Sequence, residues 1–327
     1  QGEFHEALNW ASRERLPVLF HIEDNGYAIS VPKSSQMAEG SVYDMVGGYR
    51  HLKRFETDGT DFFEAHETFR EAISSIRSGN GPAIVVSNVV RLFPHSSSDD
   101  HRKYREAEDL SEEQKRDPLA TFRALCENEG IISSGEFKNL WDETTREVDA
   151  IAEKALAAPF PQRSEATSHV VDDNPEEIIS SVPTTTGAEI VIVDAINHAL
   201  HEEMTRNENM IIYGQDVADG KGGVFTATKG LSTDFGPDRV FNSPLAEASI
   251  VGTAVGAAIA GLKPVVEIQF GDYIWTAMMQ LRNEVATIRY RSNNTFACPM
   301  VIRTPVGGYI HGGLCHSQSM EGFFMHL

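Results

Sequence analysis

Residues 241–275 read FNSPLAEASIVGTAVGAAIAGLKPVVEIQFGDYIW. Ser243 can cap a helix, and Pro244 suits the first helical position because its missing N–H costs no hydrogen bond there. Residues 248–262 carry no charge, and a helix without a polar face is buried on almost every side. We therefore expect a buried helix from about residue 243, followed by a buried strand at residues 264–270.

Glu247 places one carboxylate in the first turn of this apolar helix. An ionised carboxylate in apolar surroundings is costly unless a partner compensates it. It either balances the positive end of the helix dipole or serves a bound molecule. The residues alone leave both interpretations open.

Length, charge and composition limit the class of protein. A chain of 327 residues is longer than one hydrophobic core usually organises, so we expect two domains. A formal charge of −20 argues against nucleic acid or an anionic membrane as a partner. No apolar run spans a bilayer, no signal-peptide pattern opens the chain, and three cysteines form no metal or disulfide pattern, which predicts a cytoplasmic protein.

Apolar strands alternate with helices along the chain, which predicts the α/β class with parallel sheets flanked by helices. In the first half we expect strands at residues 18–22 and 83–90. The helices expected there cover residues 3–15, 61–78, 113–129 and 134–157. Residues 159–186 are rich in Pro, Ser, Thr and acids and are predicted to be a linker.

The second half repeats the same alternation. We expect strands at residues 210–213, 264–270 and 300–303. Besides the apolar helix, helices are expected at residues 189–205 and 273–291. The predicted domains are therefore residues 1–158 and 187–327, and both are expected to be incomplete because the chain starts without Met and ends abruptly.

Three polar loops follow predicted strands, where open α/β sheets bind ligands. The loop at residues 23–27 reads EDNGY, and the loop at residues 91–100 reads RLFPHSSSDD. The third, at residues 304–318, is rich in glycine and contains His316.

Several motifs in fixed order carry a family resemblance. The first half contains GEFHEALNWA, EDNGYAIS, HSSSDD and KYR; the second contains GQDVADGKGGVF, FGPDRVFNSPLAEASIVG, GLKPVVEIQFGDYIW, RYRS, RTPVGG and CHSQS. The chain resembles thiamine-diphosphate-dependent 2-oxo acid dehydrogenases. Its first half is similar to the C-terminal part of their α subunit and its second half to the N-terminal domain of their β subunit, which implies a fused form and two thiamine-diphosphate-binding-type domains.

The resemblance assigns the diphosphate and its Mg²⁺ to the first half. Asn25 is implied to bind Mg²⁺ through its side-chain oxygen and Tyr27 through its backbone carbonyl, as suits a hard cation. Asp24 stands where the family usually has Asn. The family's preceding Gly-Asp-Gly-like turn, which supplies a carboxylate ligand, is not in the sequence, so we expect this chain alone to bind Mg²⁺ poorly.

The resemblance also assigns roles in the loop at residues 91–105. Arg91 and His95 are implied to lie near the diphosphate or the carboxylate of the substrate, and Arg suits bidentate contact with either. Ser96 matches a position that mammalian relatives phosphorylate. The residues implied to hold the loop together, with a solvated charge run as the alternative, are Asp99, Tyr104 and Arg105.

The pyrimidine end is assigned to the second half. Glu247 is implied to hydrogen-bond a pyrimidine ring nitrogen and promote the imino tautomer that removes the thiazolium C2 proton. Tyr273 is implied to stack on the ring, and His316 to face the substrate and the incoming lipoyl group. The remaining positions implied to bind the cofactor are Leu245 and Gln269.

The expected function is oxidative decarboxylation of a 2-oxo acid followed by reductive acylation of a lipoyl group on an acyltransferase partner. The motifs favour branched-chain 2-oxo acids over pyruvate. Because the family builds each cofactor site between two domains, we expect a homodimer of the α2β2 type. The alternatives are an acetoin-cleaving or transketolase-like thiamine enzyme and, in another class, a truncated assembly subunit without catalytic activity.

Overall fold

A computed structural model describes residues 2–38, 40–172 and 187–327. The chain divides into two compact units, a first unit of Ala7–Phe160 and a second unit of Gln1–Glu6 with Pro161–Leu327. Each contains a parallel sheet with helices, which confirms the α/β class. Within the predicted linker, residues 173–186 lie outside the described residues, and Arg163–Thr167 form a short 3₁₀ turn.

The first unit is built on a three-stranded parallel sheet. Its strands lie in the order β1 (Leu19–Asp24), β5 (Ala83–Asn88) and β4 (Lys53–Asp58). Its central strand is fully covered: the side chains of Ile84, Val85 and Val86 are all buried, each contributing about 2 kcal/mol to folding. The first helix of the chain is α1 (Gly2–Glu14), of which the residues from Ala7 onward belong to this unit. The elements that follow it are β1 (Leu19–Asp24), β2 (Tyr27–Ala28), β3 (Val31–Pro32), α2 (Val42–Met45), β4 (Lys53–Asp58), α3 (Phe62–Arg77), β5 (Ala83–Asn88), α4 (Ala107–Lys115), α5 (Pro118–Asn128) and α6 (Ser134–Ala157).

Two features of the first unit differ from the prediction. The helix expected at residues 113–129 is two helices, because Asp117 accepts the N–H of Leu119 and Pro118 begins α5. Strand β4 was not predicted, since its sequence KRFETD is mostly charged; as an edge strand it buries only Thr57.

The second unit is built on a four-stranded parallel sheet. Its strands lie in the order β7 (Val240–Asn242), β6 (Met210–Gly214), β8 (Lys263–Glu267) and β9 (Val301–Arg303). Its core includes Met204, Ile212 and Val265. The elements are α7 (Ile192–Arg206), β6 (Met210–Gly214), α8 (Leu231–Phe235), β7 (Val240–Asn242), α9 (Glu247–Ile259), β8 (Lys263–Glu267), α10 (Ile288–Arg291), β9 (Val301–Arg303) and α11 (Glu321–Phe324). No helix among the described residues has the length and apolarity needed to cross a membrane.

The apolar helix α9 begins later than predicted. Ser243 does not cap it: its N–H bonds the Gly214 carbonyl at 2.8 Å and its hydroxyl donates to the Pro244 carbonyl. Glu247 is therefore the first helical residue. The expected burial on almost every side is also wrong, because Thr253 and Ile259 are exposed while Ile250, Val251 and Ala254 are buried.

The helix predicted at residues 273–291 is interrupted. A 3₁₀ segment at Gly271–Ala277 is followed by a π-helical turn at Gln280–Val285 and then by α10. The interruption turns Tyr273 and Thr276 toward the carboxyl edge of the sheet, where their hydroxyls bond His316 and Glu247.

Two contacts hold the carboxyl edge of this sheet. Gly214 approaches β8 so closely that an added Cβ would lie 2.1 Å from the Glu267 carbonyl oxygen. The Glu267 carboxylate, only 1% exposed, pairs with Arg303 at the end of β9. Burial raises the pKa of Glu267, and the Arg303 guanidinium opposes that rise.

We expect Arg303→Met to lower the free energy of unfolding by about 3 kcal/mol at pH 7, because a buried carboxylate loses its counter-charge. Since the pKa of Glu267 in the folded protein lies above its ordinary value of 4.5, stability falls as pH rises through that pKa. The decrease in the free energy of unfolding caused by Arg303→Met should therefore be smaller at about pH 5 than at pH 7. Urea denaturation at both pH values measures it. A double variant that also carries Glu267→Gln should recover stability at pH 7, and no recovery would contradict the prediction.

The loop before α8 is organised by Asp219. Its carboxylate accepts the N–H groups of Gly230 and Thr233 at 2.6 and 2.7 Å and the hydroxyl of Ser232 at 2.8 Å. The Thr233 hydroxyl also donates to it, at 2.5 Å. Together these donors, led by the Thr233 hydroxyl, lower the pKa of Asp219 to about 2.

We expect Asp219→Asn to lower the free energy of unfolding by about 1 kcal/mol at pH 7, because the donors lose a charged acceptor. Since the folded pKa lies below the ordinary 3.8, this contribution is present above pH 3.8 and is lost as pH falls toward 2. Chemical denaturation should show the difference from wild type narrowing over that range. Asp238→Asn, at an exposed position, is the control; a pH-independent difference would contradict the assignment.

Candidate active site

In the first unit, polar loops meet at the carboxyl edge of the sheet, where Asp24, Asn88 and Asp58 are opposite one another in the strand register. After β1 the chain turns sharply at Gly26, which has φ +77°. The Asn25 side-chain oxygen accepts the Tyr27 N–H at 3.0 Å, which leaves it further acceptor capacity. The edge therefore exposes oxygen acceptors of the kind a hard cation takes.

The Asp24 carboxylate is hydrogen-bonded to neighbouring groups of the protein. Its carboxylate accepts the Gly26 N–H at 3.0 Å and the Lys33 ammonium at 2.5 Å. Lys33 follows directly after the hairpin β2–β3, so this ion pair ties the hairpin to the end of β1. The side chain of Asp24 is 7% exposed, and it is a structural partner of the turn in this unit.

Arg91 lies over the same edge and contacts the predicted metal loop. Its guanidinium donates to the Ile29 carbonyl at 2.6 Å and to the Tyr104 hydroxyl at 2.8 Å. The guanidinium also lies 5.0 Å from the centroid of the Tyr27 ring, a cation–π distance. The structure therefore brings together Arg91, Tyr27 and, by the turn, Asn25.

The loop after Arg91 is tied down by its own side chains. The Tyr104 hydroxyl donates to Asp99 at 2.7 Å, and Asp99 also accepts the His95 N–H at 3.0 Å. Buried Arg105 donates to the Arg91 carbonyl at 3.1 Å and pairs with Glu113. These contacts fix the conformation of the loop, so it is not a solvated run of charges. His95 and Ser96 are exposed on it.

In the second unit, Glu247 is half-buried at the start of α9, at the carboxyl edge of the sheet. Gln215, which follows β6, donates from Nε2 to Glu247 Oε1 at 2.6 Å. The Thr276 hydroxyl lies 3.0 Å from Glu247 Oε2. The carboxylate thus has polar partners, whereas the sequence predicted alkyl surroundings alone.

Gln269 lies within the same network. Its N–H donates to Gln215 Oε1 at 2.7 Å, and its side-chain Nε2 donates to Asp216 Oδ2 at 2.7 Å. Sequence reasoning missed Gln215, Asp216 and Thr276. The available signal was the position of GQD directly after a buried strand, where polar side chains point to a ligand site.

Tyr273 and His316 contact each other in the same unit. The Tyr273 hydroxyl and His316 Nε2 are 2.8 Å apart, and both rings contact Phe270 edge-on. A cavity of about 620 Å³ has His316, Phe270 and Arg303 in its wall. Leu245, two residues before Glu247 in the sequence, is 73% exposed and presents an apolar surface.

Among the described residues, no group of three or more His, Cys, Asp or Glu side chains is placed to hold a metal ion. The Mg²⁺ ligands predicted in this chain, Asn25 and the Tyr27 carbonyl, are not of those types.

Comparison with known families is consistent with this geometry. The family described as dehydrogenase E1 component matches residues 1–164, and the family described as transketolase, pyrimidine binding domain matches residues 188–327. The chain therefore belongs to the dehydrogenase E1 component family. Together the two matches indicate domains of the thiamine-diphosphate-dependent type, a class that typically uses Mg²⁺.

Individual relatives match about two fifths of the chain. The β subunit of 2-oxoisovalerate dehydrogenase from Bacillus subtilis is 52% identical over 132 residues, 40% of this chain and 40% of that protein. The β subunit of pyruvate dehydrogenase E1 from Staphylococcus epidermidis is 43% identical over 135 residues, 41% of each. The chain thus spans about two fifths of the length of these curated relatives.

A solved structure extends the likeness to the fold. A transketolase variant from Pichia stipitis matches with a TM-score of 0.51 and 17% identity, covering 94% of this chain and 45% of that one. At this identity the match supports the α/β fold alone.

We expect Tyr104→Phe to loosen the loop at residues 95–104, because it removes a hydroxyl that bonds both Arg91 and Asp99. Loss of these two bonds should speed amide hydrogen exchange there roughly fivefold. The Tyr104 hydroxyl is also the main cause that lowers the pKa of Asp99, so that pKa should rise toward 3.8 in an NMR titration. Tyr309→Phe, at 93% exposure, is the control. Unchanged exchange in the loop would contradict the prediction.

Proposed function

We propose that this chain belongs to an enzyme that oxidatively decarboxylates a 2-oxo acid with thiamine diphosphate and transfers the acyl group to a lipoyl group on an acyltransferase partner. The observation that carries the proposal is the position of Glu247. In the part that matches a pyrimidine-binding family, it is a half-buried acid at the carboxyl edge of a parallel sheet, with a donor facing one oxygen and a rotatable hydroxyl facing the other.

The residues at this edge fit an aminopyrimidine. Leu245 offers an exposed apolar surface, Tyr273 an aromatic ring, and Glu247 a carboxylate that can bond a ring nitrogen. We propose that these three side chains hold the pyrimidine. Gln269, which contacts Gln215 and Asp216, is proposed to shape the floor of the site.

The first unit fits the diphosphate end. We propose that Arg91 contributes positive charge toward the phosphates, and that Asn25 and the Tyr27 carbonyl contribute oxygen ligands to Mg²⁺. In the structure Arg91 already lies over the Tyr27 ring. His95, exposed on the loop after Arg91, is proposed to face the carboxylate of the substrate.

When bound, thiamine diphosphate supplies a nucleophilic thiazolium carbon and accepts the electrons released by decarboxylation. The chain's own residues are proposed to manage protons and orientation. Glu247 exchanges a proton through its carboxylate with the pyrimidine, as a positioned general acid–base does. His316, held at Nε2 by the Tyr273 hydroxyl, orients the substrate and the arriving lipoyl group.

Substrate and partners are part of the proposal. The motifs NGYAIS and HSSSDD favour a branched-chain 2-oxo acid over pyruvate, and the relatives that match carry the names of both enzymes. The subunit names of those relatives support assembly with other components. We propose a homodimer of the α2β2 type that works with a lipoyl-bearing acyltransferase.

We expect Glu247→Gln in the full-length protein to slow exchange of the thiazolium C2 proton by at least about a hundredfold, because an amide cannot exchange that proton. Acid-quenched NMR in D₂O measures the exchange with thiamine diphosphate and Mg²⁺ bound. Glu202→Gln, an exposed substitution in α7, should leave the rate unchanged. Rapid exchange retained in Glu247→Gln would contradict the proposed role.

Activity assays separate the alternatives. Lipoyl acylation should occur with 2-oxoisovalerate faster than with pyruvate. Turnover of acetoin or of a ketose without lipoyl acylation would assign the enzyme to those classes. Failure of the full-length protein to bind thiamine diphosphate with Mg²⁺ would identify a subunit that only assembles.

A further inference from the structure

We propose that Gln215 is a positioning residue that determines which oxygen of Glu247 carries the exchangeable proton. This inference rests on the proposed function, in which Glu247 exchanges a proton with the pyrimidine. Gln215 is 1% exposed and lies directly after β6. Its side chain joins the Glu247 carboxylate to the backbone at the end of β8.

The orientation of the Gln215 amide is fixed by the backbone. The Gln269 N–H can only donate, so the atom that faces it at 2.7 Å must be the amide oxygen of Gln215. The amide nitrogen therefore faces Glu247 Oε1 at 2.6 Å. An amide N–H cannot accept a hydrogen bond, so Glu247 Oε1 has to be an acceptor and cannot hold a proton toward Gln215.

The second oxygen of Glu247 has a different partner. Glu247 Oε2 faces the Thr276 hydroxyl at 3.0 Å, and that hydroxyl also lies 3.2 Å from the Tyr273 carbonyl. A hydroxyl has one hydrogen and two acceptor lone pairs. It donates to Oε2 when Glu247 is ionised, and when Oε2 is protonated it turns its hydrogen to the Tyr273 carbonyl and accepts. The geometry therefore places the exchangeable proton on Oε2.

The charged groups nearby have partners of their own. Asp216 accepts the side-chain N–H of Gln269 at 2.7 Å. Glu267 pairs with Arg303, and His316 Nε2 bonds the Tyr273 hydroxyl. Gln215 and Thr276 bond Glu247 itself. Gln215 is the buried one of the two, and its replacement tests the inference.

The main test replaces Gln215 by Met in the full-length protein, which keeps the length of the side chain and removes its donor. We expect exchange of the thiazolium C2 proton to slow by about a hundredfold, as misplacement of a reacting group does. The dissociation constant for thiamine diphosphate should change by no more than about threefold, because the substitution leaves the contacts that bind the cofactor in its ground state unchanged. Gln114→Met, at an exposed position in α4, is the matched control.

Two results would overturn the inference. Exchange within about twofold of wild type would show that Gln215 does not position Glu247. A parallel loss of cofactor affinity and exchange would assign Gln215 to the folding of the site. Thermal denaturation of the variant distinguishes a local effect from unfolding.

A second variant, Gln215→Glu, tests the contact without cofactor. It places two carboxyl groups at the 2.6 Å contact, and two carboxylates this close share a proton. The infrared difference spectrum against wild type at pH 7 should show a protonated carboxyl band, whereas Gln114→Glu should add a carboxylate band only. A carboxylate band alone in Gln215→Glu would count against the contact. This readout stands even if the proposed function fails, because no cofactor is present.

Discussion

The close contact between strands β6 and β8 at their carboxyl ends is the constraint on which the second unit's site depends. Gly214 has no side chain where β8 passes, and the Gln215 N–H bonds the Glu267 carbonyl at 3.1 Å. The backbone of Gln215 is therefore held in place by contacts that do not involve its side chain. From this position the amide reaches both Glu247 and the Gln269 N–H, so one backbone contact sets the geometry of the acid.

The sequence predicted those parts of the fold that depend on a long apolar pattern. Strands β5, β6 and β8 are apolar and mostly buried, and β1 begins with apolar residues that are half-buried. All four were expected close to where they occur. Strand β4 was missed because a charged edge strand lacks the apolar pattern, and its pairing with β5 depends on a distant segment. The start of α9 was misplaced because the Ser243 N–H bonds the Gly214 carbonyl, a tertiary contact that outweighs the local capping preference.

The candidate site shows the same division. Glu247, Tyr273 and His316 were named from motifs, and the structure places the last two in contact. Gln215 and Thr276 could not be predicted as partners of Glu247, because each comes from a different element and only the fold brings them together. The side chains around the candidate residues also differ in charge between the two units. In the first unit the cationic Arg91 and Arg105 lie near Tyr27. In the second, the neutral side chains of Gln215 and Thr276 donate to Glu247.

The position of Glu247 as the first residue of α9 has a consequence for how this family's loops can change length. Successive residues of an α-helix point about 100° apart. Deleting one residue between β7 and α9 would have one of two effects. It would either move Leu245 or Ala246 out of its present place in the turn, or rotate the Glu247 carboxylate by about 100° away from the Gln215 amide. The segment of four residues from Ser243 to Ala246 is therefore fixed in length by the acid that follows it, although it forms neither helix nor strand.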